Sequence, residues 1–289
     1  MPPLHAALAV LCTIIWGLNF AAAKFGLAVF PPFLFTGLRF AVASVPFLIF
    51  TRPPDIPWRW TILVGLMLGV GQFGLLFTGM TLGMPPGLSS TMMQTQPFFT
   101  MAFAAIFLAE RPRWQNLAGL LLAFAGVLVI AGNLDDVPLL PFVLVIGAAA
   151  FWAATNVATR YARASDAWQF IVWVSAISPL PMFALSWIFE GQARIVSSFA
   201  NVTWTAIGGL LFVAWVATNG AYGWWSWLLK RYPAATVAPY SLLVPIWGIS
   251  AAMVLFDEPV SRMKWIGIAL IVAGVAANSW PRRKVAASS

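Results

Sequence analysis

The side chains of this chain that can do chemistry inside an apolar interior are neutral ones. Trp16 and Asn19 stand three residues apart, and Trp152 and Asn156 four apart, so each pair shares one face of a helix. Gln72 and Thr78, then Ser90, Gln94 and Gln96, then Trp215, Asn219 and Tyr222, and finally Tyr240 and Ser241 extend the set. Amides and hydroxyls of this kind can hold the carboxylate and ammonium of a zwitterion, while tryptophan faces can stack an aromatic ring or a cation. The same groups also bond one membrane helix to another, at about 0.6 kcal/mol each. For any one residue both uses stay open; as a set, some of them are expected to line a cavity.

Other chemistry is thinly represented. No Gly-Lys pair occurs, so there is no phosphate-binding loop of the ATP-driven kind. The one histidine, His5, leaves no histidine-ligated metal site and no histidine-based triad. The eight acidic residues (Asp55, Glu110, Asp135, Asp136, Asp166, Glu190, Asp257 and Glu258) fall between apolar runs or at their ends. A carboxylate at mid-membrane is the usual proton relay, and none is in place, so movement down the substrate's own gradient without proton coupling is expected. Neither enzymatic turnover nor a metal or other cofactor is expected.

The elements that position these side chains follow from composition. Of 289 residues, 61% are apolar and 8% charged, against about 25% charged in a soluble domain. That excludes a soluble globular enzyme, a disordered chain and, with Cys12 alone, an intrachain disulfide. Charges and prolines divide the chain into ten apolar runs: 4–23, 31–51, 60–82, 87–109, 115–132, 138–159, 167–189, 202–229, 235–256 and 264–280. About 20 apolar residues span a bilayer, and the runs are continuous rather than alternating, so they read as helices and not as a barrel. Ala21-Ala22-Ala23 resembles a leader cleavage site, but the first run lacks a basic start and reads as a retained span.

Lysine and arginine give the orientation. The side with both termini carries Arg52, Arg59, Arg111, Arg113, Arg160, Arg163, Lys230, Arg231, Arg282, Arg283 and Lys284, while the other carries Lys24, Arg194, Arg262 and Lys264. The excess places both termini in the cytoplasm. The pI near 10.4 then records basic loops, with no nucleic-acid partner implied. Arg39 falls inside the second run, about 12 Å along it at 1.5 Å per residue. It is the candidate functional charge, with a structural hydrogen-bonding role as the alternative. Lys24 is expected to snorkel to the outer interface.

An internal repeat organises the runs. Residues 85–127 shifted by 148 match at nine of 43 positions, including Pro85/Pro233, Pro97/Pro245, Glu110/Glu258, Gly119/Gly267 and Gly126/Gly274. A shift of 136 places Trp16 on Trp152 and Lys24 on Arg160. Five runs per half force the second copy to enter from the opposite side. The expected fold is therefore an all-α membrane protein of ten transmembrane helices, built as two inverted five-helix repeats, 1–133 and 134–289. Inverted repeats of this kind are the architecture of secondary transporters.

Three motifs refine the reading. Gly69-Val70-Gly71-Gln72-Phe73-Gly74 fits GxGxxG but lies inside a span, with no preceding strand, so it reads as helix packing, together with Gly65. Pro97 and Pro245 remove donors near midplane and free the carbonyls of Met93 and Ser241. They are candidate hinges, and the freed carbonyls can face an ammonium group. Glu110 and Glu258 are expected to satisfy the amides that open the helices following them, or to pair with Arg111, Arg113 or Arg262.

Trp16-Gly17-Leu18-Asn19-Phe20, Pro31-Pro32 followed by Leu38-Arg39-Phe40, and Gly119 to Gly126 after Glu110 resemble drug/metabolite transporters of the EamA type, over nearly the whole chain. The tryptophan content is similar to that of the YddG-type exporters of aromatic amino acids in that superfamily. The resemblance implies an exporter of amino acids, aromatic or large neutral, in the cytoplasmic membrane of a bacterium. It implies spans 1, 3, 4, 6, 8 and 9 around a central cavity, with a small molecule and lipid as partners. Export of cationic aromatic drugs and a passive channel for small metabolites are the alternatives. One departure stands out: repeat alignment places Ser175 where the second half would carry the equivalent of Arg39.

Overall fold

The computed structural model describes residues 1–107, 114–131, 138–162, 165–232, 237–258 and 260–279, and among these there is no strand. Ten rods follow the apolar runs: α1 (Pro3–Leu27), α2 (Pro32–Leu48), α3 (Trp58–Thr81), α4 (86–107), α5 (Trp114–Ala131), α6 (Leu139–Ala162), α7 (Ala167–Glu190), α9 (204–231), α10 (238–256) and α11 (Arg262–Ser279). The segment between the seventh and eighth runs adds a short helix, α8 (Gln192–Ala200). Five of the rods, within α1, α3, α6, α7 and α9, are continuous and apolar enough to cross a membrane by length alone. Prolines set several starts, because a first-turn proline needs no N–H partner: Pro3, Pro32 and Pro86 open α1, α2 and α4. Gly83, at φ 113°, closes α3 with bonds from Met84 to Gly79 and from Gly83 to Met80, and its left-handed backbone favours glycine.

Contacts at the rod ends fix the two faces. On one, Asp55 accepts from the Ser165 amide at 3.2 Å, Arg52 donates to Gln169, and His5 bonds Tyr232. On the other, Glu190 accepts from the amides of Phe33 and Leu34, and Lys24 pairs with Glu258. The first rod of the first half therefore runs from the Asp55 face to the Glu258 face, and α6, the first rod of the second half, runs back. The halves are inverted. Their second helices cap each other across this inversion: Glu190, ending α7, sits on the N-terminus of α2, and Asp55, following α2, reaches the residue preceding the cap of α7. Carboxylates are favourable at helix starts because the first amides lack partners. The Ser165 hydroxyl and amide hold the Asp55 carboxyl below the usual carboxylate range, so this link persists as pH falls until that lowered value is passed.

Leu180, Ile188, Phe189 and Val254 are exposed, as a lipid-facing surface requires. Inside, glycines set the separations. Side chains built at Gly65 and Gly69 would collide with Ile177 and Ser178 of α7, and one at Gly71 with Phe151 of α6. Ser178 donates to the Gly65 carbonyl at 3.0 Å. The GxGxxG run is thus a packing surface, as its position in a span indicates. At Gly209 of α9, an added methyl would stand 2.4 Å from the Ala22 carbonyl oxygen of α1, while its neighbour Gly208 has nothing within 4 Å. Gly209→Ala is expected to destabilise by about 1–3 kcal/mol through overpacking, and Gly208→Ala to gain up to about 1 kcal/mol of helix propensity. Thermal unfolding in detergent would resolve them; equal melting temperatures would contradict this packing.

Candidate functional site

A cavity of about 450 Å³ lies between the rods. Its walls come from α1, α3, α4, α6, α9 and α10, the six spans implied by the resemblance, together with α7 and with Arg39 of α2. Thr159 and Ala167, at the end of α6 and the start of α7, bring it to the Asp55 face. Towards the other face it stops at Leu76, five residues before α3 ends, roughly 7 Å at 1.5 Å per residue.

Beside the cavity α1, α4 and α10 are packed at backbone distance, and above it a methyl on Gly87 of α4 would stand 3.1 Å from Ala252 Cβ of α10. A methyl on Gly17 would lie 2.5 Å from Trp247 Cβ, and one on Gly248 2.4 Å from the Ser90 hydroxyl. Asp257, left-handed at φ 52°, ends α10 and turns the chain into Glu258. Glu258 then accepts from Lys24 and from the Gly87 amide, both at 3.3 Å, and so joins α10 to α1 and α4. Lys24 Nζ also sits 4.0 Å from the Phe256 ring centroid. Snorkelling alone therefore does not describe Lys24: it has a partner. Glu258 caps α4 rather than the helix that follows it. Glu110, Arg111 and Arg113 lie outside the described residues.

Among the described residues that line it, the cavity is aromatic and neutral apart from one charge. Trp16 packs against Tyr222 and Trp225, with ring centroids 5.2 and 5.0 Å away, and its indole N–H donates to the Ala217 carbonyl at 3.3 Å. Across the space, Asn156 donates to the Gln96 amide oxygen at 3.1 Å, tying α6 to α4. Arg39 lies over Phe73, its guanidinium carbon 3.7 Å from the ring centroid, and donates one bond, at 3.0 Å, to the Thr218 hydroxyl. The Thr218 hydroxyl in turn donates a hydrogen bond to the Val213 carbonyl, five residues back, in the widened turns of α9.

The prolines loosen their helices in matching places. Each is preceded by a 3₁₀ stretch, Met93–Thr95 before Pro97 and Ala238–Leu243 before Pro245. The freed carbonyls do not stay free. Gln96 N–H bonds Met93 O, Val244 N–H bonds Ser241 O, and Gln94 Nε2 adds a second bond to Ser241 O at 2.7 Å. An ammonium group would compete with these protein donors, contrary to the expectation from sequence.

Of the residues singled out by type and spacing, Trp16, Asn19, Gln72, Ser90, Gln94, Trp152, Asn156, Tyr222, Ser241 and Arg39 lie on the cavity wall. Thr78, Trp215, Asn219 and Tyr240 do not. Trp215 and Asn219 bond the Val42 and Ala43 carbonyls of α2, and Tyr240 packs beside Leu228 and Val237. The cause in α9 is a π-helical segment, Phe212–Ala221. Its i→i+5 turns hold more residues than α-helical ones, so the 3.6-residue period that would align Trp215 and Asn219 with Tyr222 fails. Trp225 also lines the cavity, and its signal was available: it stands three residues beyond Tyr222. Among the described residues no three or more His, Cys, Asp or Glu side chains gather to hold a metal.

Known proteins resemble this chain in sequence and in fold. Residues 4–132 and 139–280 each match the EamA-like transporter family. The chain is 36% identical to a "Probable amino-acid metabolite efflux pump" of Escherichia coli strain K12 and 38% identical to one of the same name from Salmonella typhimurium, covering 94% of this chain and 93% of each relative. A crystal structure at 19% identity superposes with a TM-score of 0.66 over 99% of both chains, a likeness of fold.

Cys12 is buried and supplies a quiet background for labelling. A membrane-impermeant maleimide is expected to react with Thr159→Cys only from the Asp55 face and with Ala28→Cys only from the Glu258 face. Labelling of both from one face would overturn the assignment of the rod ends.

Proposed function

The chain belongs to the EamA-like transporter family, and we propose that it exports amino acids, large neutral or aromatic ones, across a bacterial cytoplasmic membrane by alternating access and without ATP. The observation that carries this reading is the one-sided cavity. It reaches the Asp55 face, while the close approach of Gly87 to Ala252 and the Lys24–Glu258 pair separate it from the Glu258 face. With the more basic Asp55 face in the cytoplasm, this is the loading state. Opening then separates α1 and α4 from α10 at Lys24–Glu258, and the Asp55 face closes. The repeat shifts carry Lys24 and Glu258 onto Arg160 and Glu110 by sequence, residues of the same signs assigned to the opposite face.

Size and chemistry support the cargo. About 450 Å³ falls within the range of about 300–1,000 Å³ for small-molecule sites. Trp16, Tyr222 and Trp225 offer ring faces for an aromatic side chain, while Trp152, Asn19, Gln72, Ser90, Gln94 and Asn156 supply the remaining contacts. The names of the relatives, amino-acid metabolite efflux pumps, point the same way. A membrane carboxylate for proton coupling is not part of the proposal.

The test is transport by purified protein in proteoliposomes. Tryptophan is expected to show saturable uptake and counterflow, with no accumulation driven by a pH gradient alone. Trp16→Ala is expected to weaken apparent affinity about tenfold, and Trp215→Phe to leave it unchanged. Linear, unsaturable flux would overturn the carrier in favour of a channel.

A further inference from the structure

Arg39 is 2% exposed, lines the cavity, and is the one charged side chain among the described residues that do. Its Nη2 is bonded to Thr218, but its Nε and Nη1 are buried without a hydrogen-bond partner. The groups around it include the rings of Phe40, Phe73 and Phe77, the Thr218 hydroxyl, and Tyr222, which is near enough to interact with its charge. The described carboxylates, Asp55, Asp166, Glu190, Asp257 and Glu258, all sit at rod ends, so none serves as its counterion. A ring face attracts the flat side of a guanidinium, yet its N–H groups lie in the guanidinium plane and still require acceptors. A buried charge left this way is costly. In a membrane interior it marks a functional position, and here the repeat did not duplicate it: Ser175 stands at the equivalent place.

We infer that Arg39 is the anion anchor of the cavity, the residue that takes the carboxylate of the cargo on the N–H groups that Thr218 leaves free. An N–H of Nη1 and the second N–H of Nη2 lie side by side on one edge and match the two oxygens of a carboxylate, a fit that a lysine point charge lacks. Complementary acceptors are at hand: the side-chain oxygens of Asn19 and Gln72, also cavity residues, are buried and without partners, and they suit the donors of an ammonium group. The cavity therefore selects carboxylates and zwitterions, and its fixed positive charge repels ligands that carry only a cation. This inference rests on the exporter reading and specifies its substrate chemistry.

The test compares three probes against radiolabelled tryptophan bound to purified, reconstituted protein: unlabelled tryptophan, indole-3-propionate, which lacks the ammonium, and tryptamine, which lacks the carboxylate. In the unaltered protein, indole-3-propionate is expected to compete at least tenfold better than tryptamine. Arg39→Gln should bring the two within about twofold of each other, and Arg39→Lys should retain the preference at reduced affinity. Tryptamine competing as well as indole-3-propionate in the unaltered protein would overturn the anchor, even if neither variant folds. So would an unchanged ratio in a folded Arg39→Gln protein. If tryptophan and a wider panel of amino acids fail to bind the unaltered protein, the exporter reading itself fails, and this inference with it.

Discussion

Helices in a bilayer gain nothing from leaving the lipid for one another, since acyl chains are as apolar as leucine. They associate only where their surfaces approach closely enough for dense contact or for hydrogen bonds. In this protein that constraint is met by small residues at a few crossings: Gly17 under Trp247, Gly248 against Ser90, Gly209 against the Ala22 carbonyl, and Gly65 and Gly69 against α7. Three of these crossings involve α1 or the partner it packs on, which makes α1 the central pillar. Where the facing residues are large (Trp16, Phe73, Trp152, Phe170, Tyr222) the rods stand apart, and the cavity is the space that results.

The inverted repeat recurs in the backbone as well as in the connectivity. Helices 3 and 9 both widen into π-helical turns, Met67–Gly74 and Phe212–Ala221. Helices 4 and 10 both tighten into 3₁₀ turns ahead of a proline. Three of these segments border the cavity and the fourth, Phe212–Ala221, ends beside it at Tyr222; irregular backbone in a membrane is tolerated where it is buried in protein. Two breaks in the symmetry bear on the site: repeat alignment sets Ser175 where the second half would carry Arg39, and the cavity meets the Asp55 face but not the Glu258 face. The first break gives the cavity a sign of charge; the second gives it a direction.

Much of this was legible in the residues. Ten spans, their inversion and the neutral interior follow from composition and from the 136- and 148-residue shifts, because a bilayer imposes its demands residue by residue and a duplication leaves register behind. The packing role of the glycines in α3 followed from their place inside a span. The separation of cavity residues from helix-tying residues was less legible. Asn156 and Gln94 lie on the wall yet are already bonded to Gln96 and Ser241, and Asn219 serves α2. A sequence lists these amides as equals, since each is a polar residue in an apolar run.

The chain alone thus determined how many times it crosses the membrane, in which relative sense its halves run, and that the buried chemistry is aromatic and amide-based with a single charge. Tertiary structure decided the rest. A π-helical turn rotates Trp215 and Asn219 off the face that an α-helical period assigns them, and local sequence does not announce such a turn. Lys24 meets Glu258, and Gln94 meets Ser241, across 234 and 147 residues. Pairings at such separations are set by how the two halves pack, a property of the assembled bundle that no window along the chain contains.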